Sequence, residues 1–169
     1  MTLYNYLYYT VLQDAVEFKM TNAVCNSLNK SWVVIHECRL RAINRHKTTF
    51  NFNGSILHPA NHISLRYEMF QKANGYKPWL FNTTIDACRY IRKPFNPFVI
   101  MVVNLFREFT NFNHTCPYVG PQIVKGFYLR SNLLPHVMPT GDYLLALTWS
   151  FYAKPQFLTN IYFVFKEDL

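Results

Sequence analysis

Charged residues are scarce: Asp, Glu, Lys and Arg make up 15% of the 169 residues, against about 25% in an ordinary globular chain. Cations outnumber anions by 17 to 9, for a formal net charge of +8. No run of five or more like charges marks a basic arm. The cations are scattered through the chain, as at Lys19, Lys30, Arg39, Arg41, Arg45, Lys47 and Arg66, and no nucleic-acid motif accompanies them, which argues against a nucleic-acid partner. No C-x-x-C pair occurs, so the common zinc and thioredoxin-like redox patterns are missing. No G-x-S-x-G serine elbow occurs either. The histidines, His36, His46, His58, His62, His114 and His136, are irregularly spaced, and the His58-x-x-x-His62 spacing falls on the turn His58-Pro59-Ala60-Asn61 and not on a helix face. No uninterrupted apolar stretch reaches the ~20 residues of a membrane-spanning helix, and there is no internal repeat or low-complexity linker. The expectation from these absences is a single domain with no catalytic residues, no metal and no cofactor.

Aromatic and apolar groups are abundant instead. Half of the residues are apolar and 18% are aromatic, with 15 Phe and 12 Tyr. Flat rings fit a pleated, half-buried surface, so this composition favours strands. The surplus must be buried or must line something.

Period-2 alternation supports the all-β reading. A first strand is expected at Val16–Val24, with a polar turn at Asn26–Lys30. In a second strand, Ser31–Ile43, Trp32, Val34, Cys38, Leu40 and Ala42 share one face and Glu37, Arg39 and Arg41 the other. Lys47–Leu57 reads as a third strand, with Asn53-Gly54 as a turn or bulge. In His62–Lys72, Ile63, Leu65, Tyr67 and Met69 alternate with Ser64, Arg66 and Glu68. A turn follows at Asn74–Pro78, then an extended segment at Trp79–Cys88. One helix is predicted near residues 97–111, because Asn96 can cap it, Pro97 suits its first position, and Phe98, Val99, Val102, Leu105, Phe106 and Phe109 recur at helical spacing. Gln122–Arg130, Asp142–Ala153 and Gln156–Lys166 read as further strands, the last two joined by Lys154-Pro155. Pro135, Pro139 and Gly141 break the chain between the first two of these. Seven or eight short strands separated by polar turns form the pattern of an antiparallel sandwich.

The four cysteines, Cys25, Cys38, Cys88 and Cys116, allow three connectivities. The pairing Cys88–Cys116 would staple the helix by both flanks, leaving Cys25–Cys38. Asn29-Lys-Ser31, Asn53-Gly-Ser55, Asn82-Thr-Thr84 and Asn113-His-Thr115 are glycosylation sequons. Disulfides and sequons together point to an oxidising, extracellular compartment. Residues 3–12 are apolar enough for a short signal core, and Ala15 suits a cleavage point, but no Lys or Arg forms a positive n-region. The expected organisation is an atypical or truncated signal segment over residues 1–15 and one sandwich domain over residues 16–169.

The run from Asn74-Gly75-Tyr76-Lys77-Pro78-Trp79 through Ala87-Cys88-Arg89-Tyr90, together with Asn111-Phe112-Asn113-His114-Thr115-Cys116-Pro117-Tyr118 and Met138-Pro139-Thr140-Gly141-Asp142-Tyr143, resembles an insect family of secreted proteins, the domain-of-unknown-function 1091 family. Phe18-Lys19-Met20-Thr21-Asn22 and Cys38-Arg39-Leu40-Arg41-Ala42 fit it too. That family is similar to the chemosensory B proteins and, more remotely, to the ML lipid-recognition superfamily. The resemblance implies an immunoglobulin-like sandwich whose sheets part to admit a lipid. It carries over no ligand-binding residues.

Candidate sites therefore rest on pattern. Inward rings of a splayed sandwich would line an apolar pocket, and Trp32, Leu65, Tyr67, Met69, Phe106, Tyr143, Trp149, Phe151 and Phe163 are the candidate lining set. Lys72, Lys77 and Arg89, placed near the Gly75–Trp79 turn, are candidates for an anionic headgroup. His114 with Cys116 could suggest Cys-His nucleophilic chemistry, but Cys116 is expected in a disulfide and His114 within a sequon. Asp86 is expected to cap a turn rather than act as a buried acid. The expected function is a secreted, non-enzymatic binding protein for a lipid or other apolar small molecule. The alternative is an extracellular interaction module with a filled core that binds a receptor or secreted partner.

Overall fold

The computed structural model describes residues 16–130 and 138–167. The expected signal segment and the break at Pro135 lie outside these residues. Eight strands run in the order β1 (Val16–Ser27), β2 (Val33–Ala42), β3 (Thr48–Ala60), β4 (Ile63–Ala73), β5 (Gly75–Asp86), β6 (Tyr118–Phe127), β7 (Gly141–Phe151) and β8 (Lys154–Glu167). Between β5 and β6 lie helix α1 (Ala87–Arg92), helix α2 (Pro97–Phe106) and a 3-10 turn at Arg107–Phe109. Every strand pairing is antiparallel, and the strands form two sheets, ordered β1-β8-β7-β4-β5 and β2-β3-β6. The molecule is the all-β sandwich that the alternation predicts.

The core lies between the sheets. Tyr143, Phe151, Phe163 and Phe165 from the larger sheet meet Val33, Phe50, Phe52 and Phe127 from the smaller one. The disulfide Cys25–Cys38 ties β1 to β2, the edges at which the two sheets adjoin. Cys88–Cys116 ties α1 to the segment entering β6, so it closes the loop that carries α2. Both expected pairings are present.

Several boundaries differ from the sequence reading, each for a local reason. In β2 the register shifts between Ile35 and Glu37, so Val33 and Ile35 face the core ahead of the bulge and Cys38 and Leu40 beyond it. Val34 therefore does not share the inward face of Cys38. Asn53-Gly54 is no turn: Gly54 sits inside β3 opposite Ile35, where an added Cβ would lie 2.9 Å from Phe52 Cζ. The expected turn at Asn74–Pro78 shrinks to Asn74, because Ala73 already pairs with Gly75, which takes φ +81°. Pro78 is tolerated inside β5 because β5 is an edge strand. Between β7 and β8 the turn is Tyr152-Ala153 rather than Lys154-Pro155, both residues at positive φ.

The segment read as extended to Cys88 ends at Asp86, whose carboxylate accepts a hydrogen bond from Arg89 N at 2.9 Å and caps α1. Asn96 caps α2 through Phe98 N, with Pro97 at the first position. This helix stops at Phe106 rather than residue 111. Beyond it the chain must reach β6, where Asn111 bonds Pro121 and Ile123 and Thr110 bridges to Val124. Those contacts also cover the open edge of the smaller sheet. β6 begins at Tyr118, ahead of the expected Gln122, because Tyr118 and Gly120 find partners in Ala60 and Ile56 of β3.

Candidate functional site

The two sheets are unequal in width, and this sets the character of the interior. Three strands cannot cover five, and the uncovered face of β4 and β5 is roofed by the helices. Leu65, Tyr67 and Ile85 on the strands pack against Tyr90 of α1 and Val99, Ile100 and Val103 of α2. Helix α2 spans the gap between the layers. At its start Phe98 stacks on Phe81 of β5, with ring centroids 4.2 Å apart; at its end Phe106 stacks on Phe127 of β6, also at 4.2 Å.

From the roofed end a continuous file of rings enters the core. Phe98 neighbours Tyr67 and Phe81, Phe81 meets Trp79, Trp79 meets Tyr143, and Tyr143 stacks on Phe163, which stacks on Phe18. Of the candidate lining residues, Tyr67, Tyr143 and Phe163 belong to this file, Leu65 lies beside it, and Phe106 sits at the far end of the roof. Met69 packs on the main core. Trp32, Trp149 and Phe151 form a second group with Phe157, at the other end of the same β7–β8 pair that carries Tyr143 and Phe163. Among the nine candidates the rings thus fall into two groups, with Phe106 apart from both on Phe127. The file also contains Trp79 and Phe81, whose signal in the sequence is the ring-x-ring spacing within an edge strand.

Tyr143 is fully buried, its hydroxyl donating to Pro139 O at 2.6 Å. Burial raises the pKa of Tyr143, and likewise those of Tyr67, Tyr90 and Tyr118, above the usual phenol value. Tyr118 also donates to His114 O.

The headgroup candidates are not one cluster. Lys72 and Lys77 flank the β4–β5 hairpin tip, whereas Arg89 lies in α1 beyond the other end of β5. The nine residues from Lys77 to Asp86 put roughly 30 Å between them at strand rise. Arg89 instead lies over the ring of Phe95. Cys116 is disulfide-bonded, and the neighbouring His114 ring stacks on Tyr118. His36 Nε2 is 2.9 Å from Ser55 Oγ on the far layer. Among the described residues no group of three or more His, Cys, Asp or Glu could hold a metal ion, and no helix is long and apolar enough to cross a membrane. Of the sequon asparagines, Asn82 and Asn113 are exposed; Asn53 lies half-buried in the central strand of the smaller sheet, and Asn29 accepts hydrogen bonds from Ser31.

An apolar, ring-lined interior under a helical roof, in an all-antiparallel two-sheet sandwich, defines the class of the protein. The family model described as a protein of unknown function (DUF1091) matches residues 65–145. The matched stretch runs from β4 through both helices and β6 into β7, so it contains the roof and the strands beneath it. No curated protein matches the chain.

Proposed function

We propose that the protein is a secreted, glycosylated, non-enzymatic carrier of a lipid or similar apolar small molecule, in keeping with its resemblance to insect chemosensory and ML lipid-recognition proteins. The observation that carries this reading is the mode of closure. A missing strand is replaced by a ten-residue helix whose two ends rest on rings of different sheets. Ring stacks slide and separate at smaller cost than a ladder of backbone hydrogen bonds, so the roof can lift while the sheets persist. Lifting it uncovers Tyr67, Trp79 and Phe81, and an apolar ligand laid against them gains about 25 cal/mol per Å2 of surface removed from water. The two disulfides support an oxidising compartment.

Native mass spectrometry of protein secreted from insect cells is expected to show a co-purifying apolar mass, and a fluorescent fatty acid to bind and be displaced. Phe98→Ala is expected to weaken that binding about tenfold with the sandwich still folded. A protein that emerges empty and binds no apolar probe would overturn the reading.

A further inference from the structure

Seven large apolar side chains are exposed among the described residues, and four of them, Leu28, Leu57, Val119 and Tyr152, gather at one end of the sandwich. Backbone hydrogen bonds fix this gathering. Leu28 N donates to Gln156 O, Leu57 N to Trp32 O, and Tyr152 N to His62 O, while Tyr118, next to Val119, pairs with Ala60. Four segments far apart in sequence therefore share the end, and Trp32, half-buried, links it to the core through Phe151 and to the surface through Tyr152 and His58.

Charge at this end is mainly positive, its acidic residue among the described residues being the exposed Asp86, which pairs with Ser64 where β5 ends and caps α1. The connections at residues 28–32, 57–62 and 152–155 contain Lys30 and Lys154, both exposed, together with His58 and His62, and no acidic residue. Aliphatic groups with Trp and Tyr rings beside two exposed lysines match the chemistry of a bilayer interface, where aromatic rings sit at headgroup depth and lysines meet anionic lipid. We propose that this end docks onto anionic lipid membranes, with Leu28, Leu57 and Tyr152 entering the interface and Lys30 and Lys154 facing lipid phosphates. The docking goes beyond ligand carriage and does not depend on it, because it uses the outer surface and not the roofed interior.

The full chain, both as secreted and with its N-glycans removed because Asn29 lies at this end, is co-floated with vesicles of phosphatidylcholine alone and of phosphatidylcholine with phosphatidylserine. Binding is expected only to the anionic vesicles and to weaken with salt. Leu28→Glu with Leu57→Glu is expected to lower partitioning at least about tenfold; Ile43→Glu, at an exposed site elsewhere, is expected to change it less than about twofold. Brominated lipid is expected to quench tryptophan emission in the wild type and much less in Trp32→Phe, a readout that a folding defect does not imitate. Equal binding to neutral vesicles, or equal losses from Ile43→Glu and the double variant, would overturn the proposal. Vesicle binding by a protein that takes up no fatty acid would sink the carrier reading and leave the docking intact.

Discussion

Tyr152 and Ala153 turn β7 into β8 at φ 51° and 64°, a region that costs a residue with a Cβ roughly 1–2 kcal/mol. Two-residue hairpins usually place Asn-Gly here, because both central residues need positive φ. The strain at Tyr152 is offset by what its ring touches, Trp32 and His62 at centroid distances of 6.0 and 5.2 Å. No comparable contact justifies Ala153. Ala153→Gly is therefore expected to raise stability by about 0.5–1 kcal/mol, seen as a higher urea midpoint at unchanged slope. Gly54 behaves in the opposite sense. A methyl there would meet Phe52 Cζ at 2.9 Å and the carbonyl of Val34 at 3.3 Å, so Gly54→Ala is expected to cost about 1–3 kcal/mol, measured in the same titration. The sequence marked Gly54 as special but could not say why. The reason is the rotamer of Phe52 and the neighbouring β2 backbone, which no one-dimensional pattern contains.

At the scale of elements, what the sequence shows is governed by length and regularity. The alternations of β4, β7 and β8 persist over 11, 11 and 14 residues, and their inward faces were legible. The face of β2 was half legible, since one bulge inverts the phase midway. Helix α1 escaped notice because six residues carry less than two turns of pattern, and the alternating run of β5 leads straight into it. The roof was visible as a helix but not as a bridge, because the partners of Phe98 and Phe106, namely Phe81 and Phe127, lie on different sheets. The disulfide below the roof allows a test at this scale. Cys88–Cys116 spans 28 residues of sequence and Cys25–Cys38 spans 13. In the chain-entropy account the longer loop contributes about 0.7 kcal/mol more, within the roughly 2–4 kcal/mol of each bridge. Cys88→Ser with Cys116→Ser is expected to destabilise more than Cys25→Ser with Cys38→Ser. Hydrogen exchange in the first pair of variants is expected to rise first in residues 87–111, since the five-stranded ladder does not depend on that bridge.

At the scale of the whole molecule, the sandwich class was legible but the sheet order was not, because β1 pairs with β8 at the far end of the chain, Val16 facing Glu167. The same long-range packing buries the tyrosines, and this gives the molecule an alkaline limit. Tyr67, Tyr90, Tyr118 and Tyr143 have pKa values raised by burial, so above pH 10 the unfolded chain releases phenolic protons that the folded chain retains. With fewer protons bound in the unfolded state than in the native state, stability falls as pH rises, by at most about 1.4 kcal/mol per pH unit for each such group. This contribution is fully present below pH 10, and none of it is expected to vary between pH 6 and 9. Tyr143→Phe separates the two parts of the effect. Loss of its hydroxyl leaves Pro139 O without that donor and is expected to cost about 1–2 kcal/mol at neutral pH. The variant no longer carries a buried phenol at this position, so its stability is expected to decline less steeply than that of the wild type between pH 10 and 11.5. Urea unfolding followed by far-ultraviolet circular dichroism at several pH values reads both quantities, and parallel curves for the two proteins would show that Tyr143 plays no part in the alkaline limit.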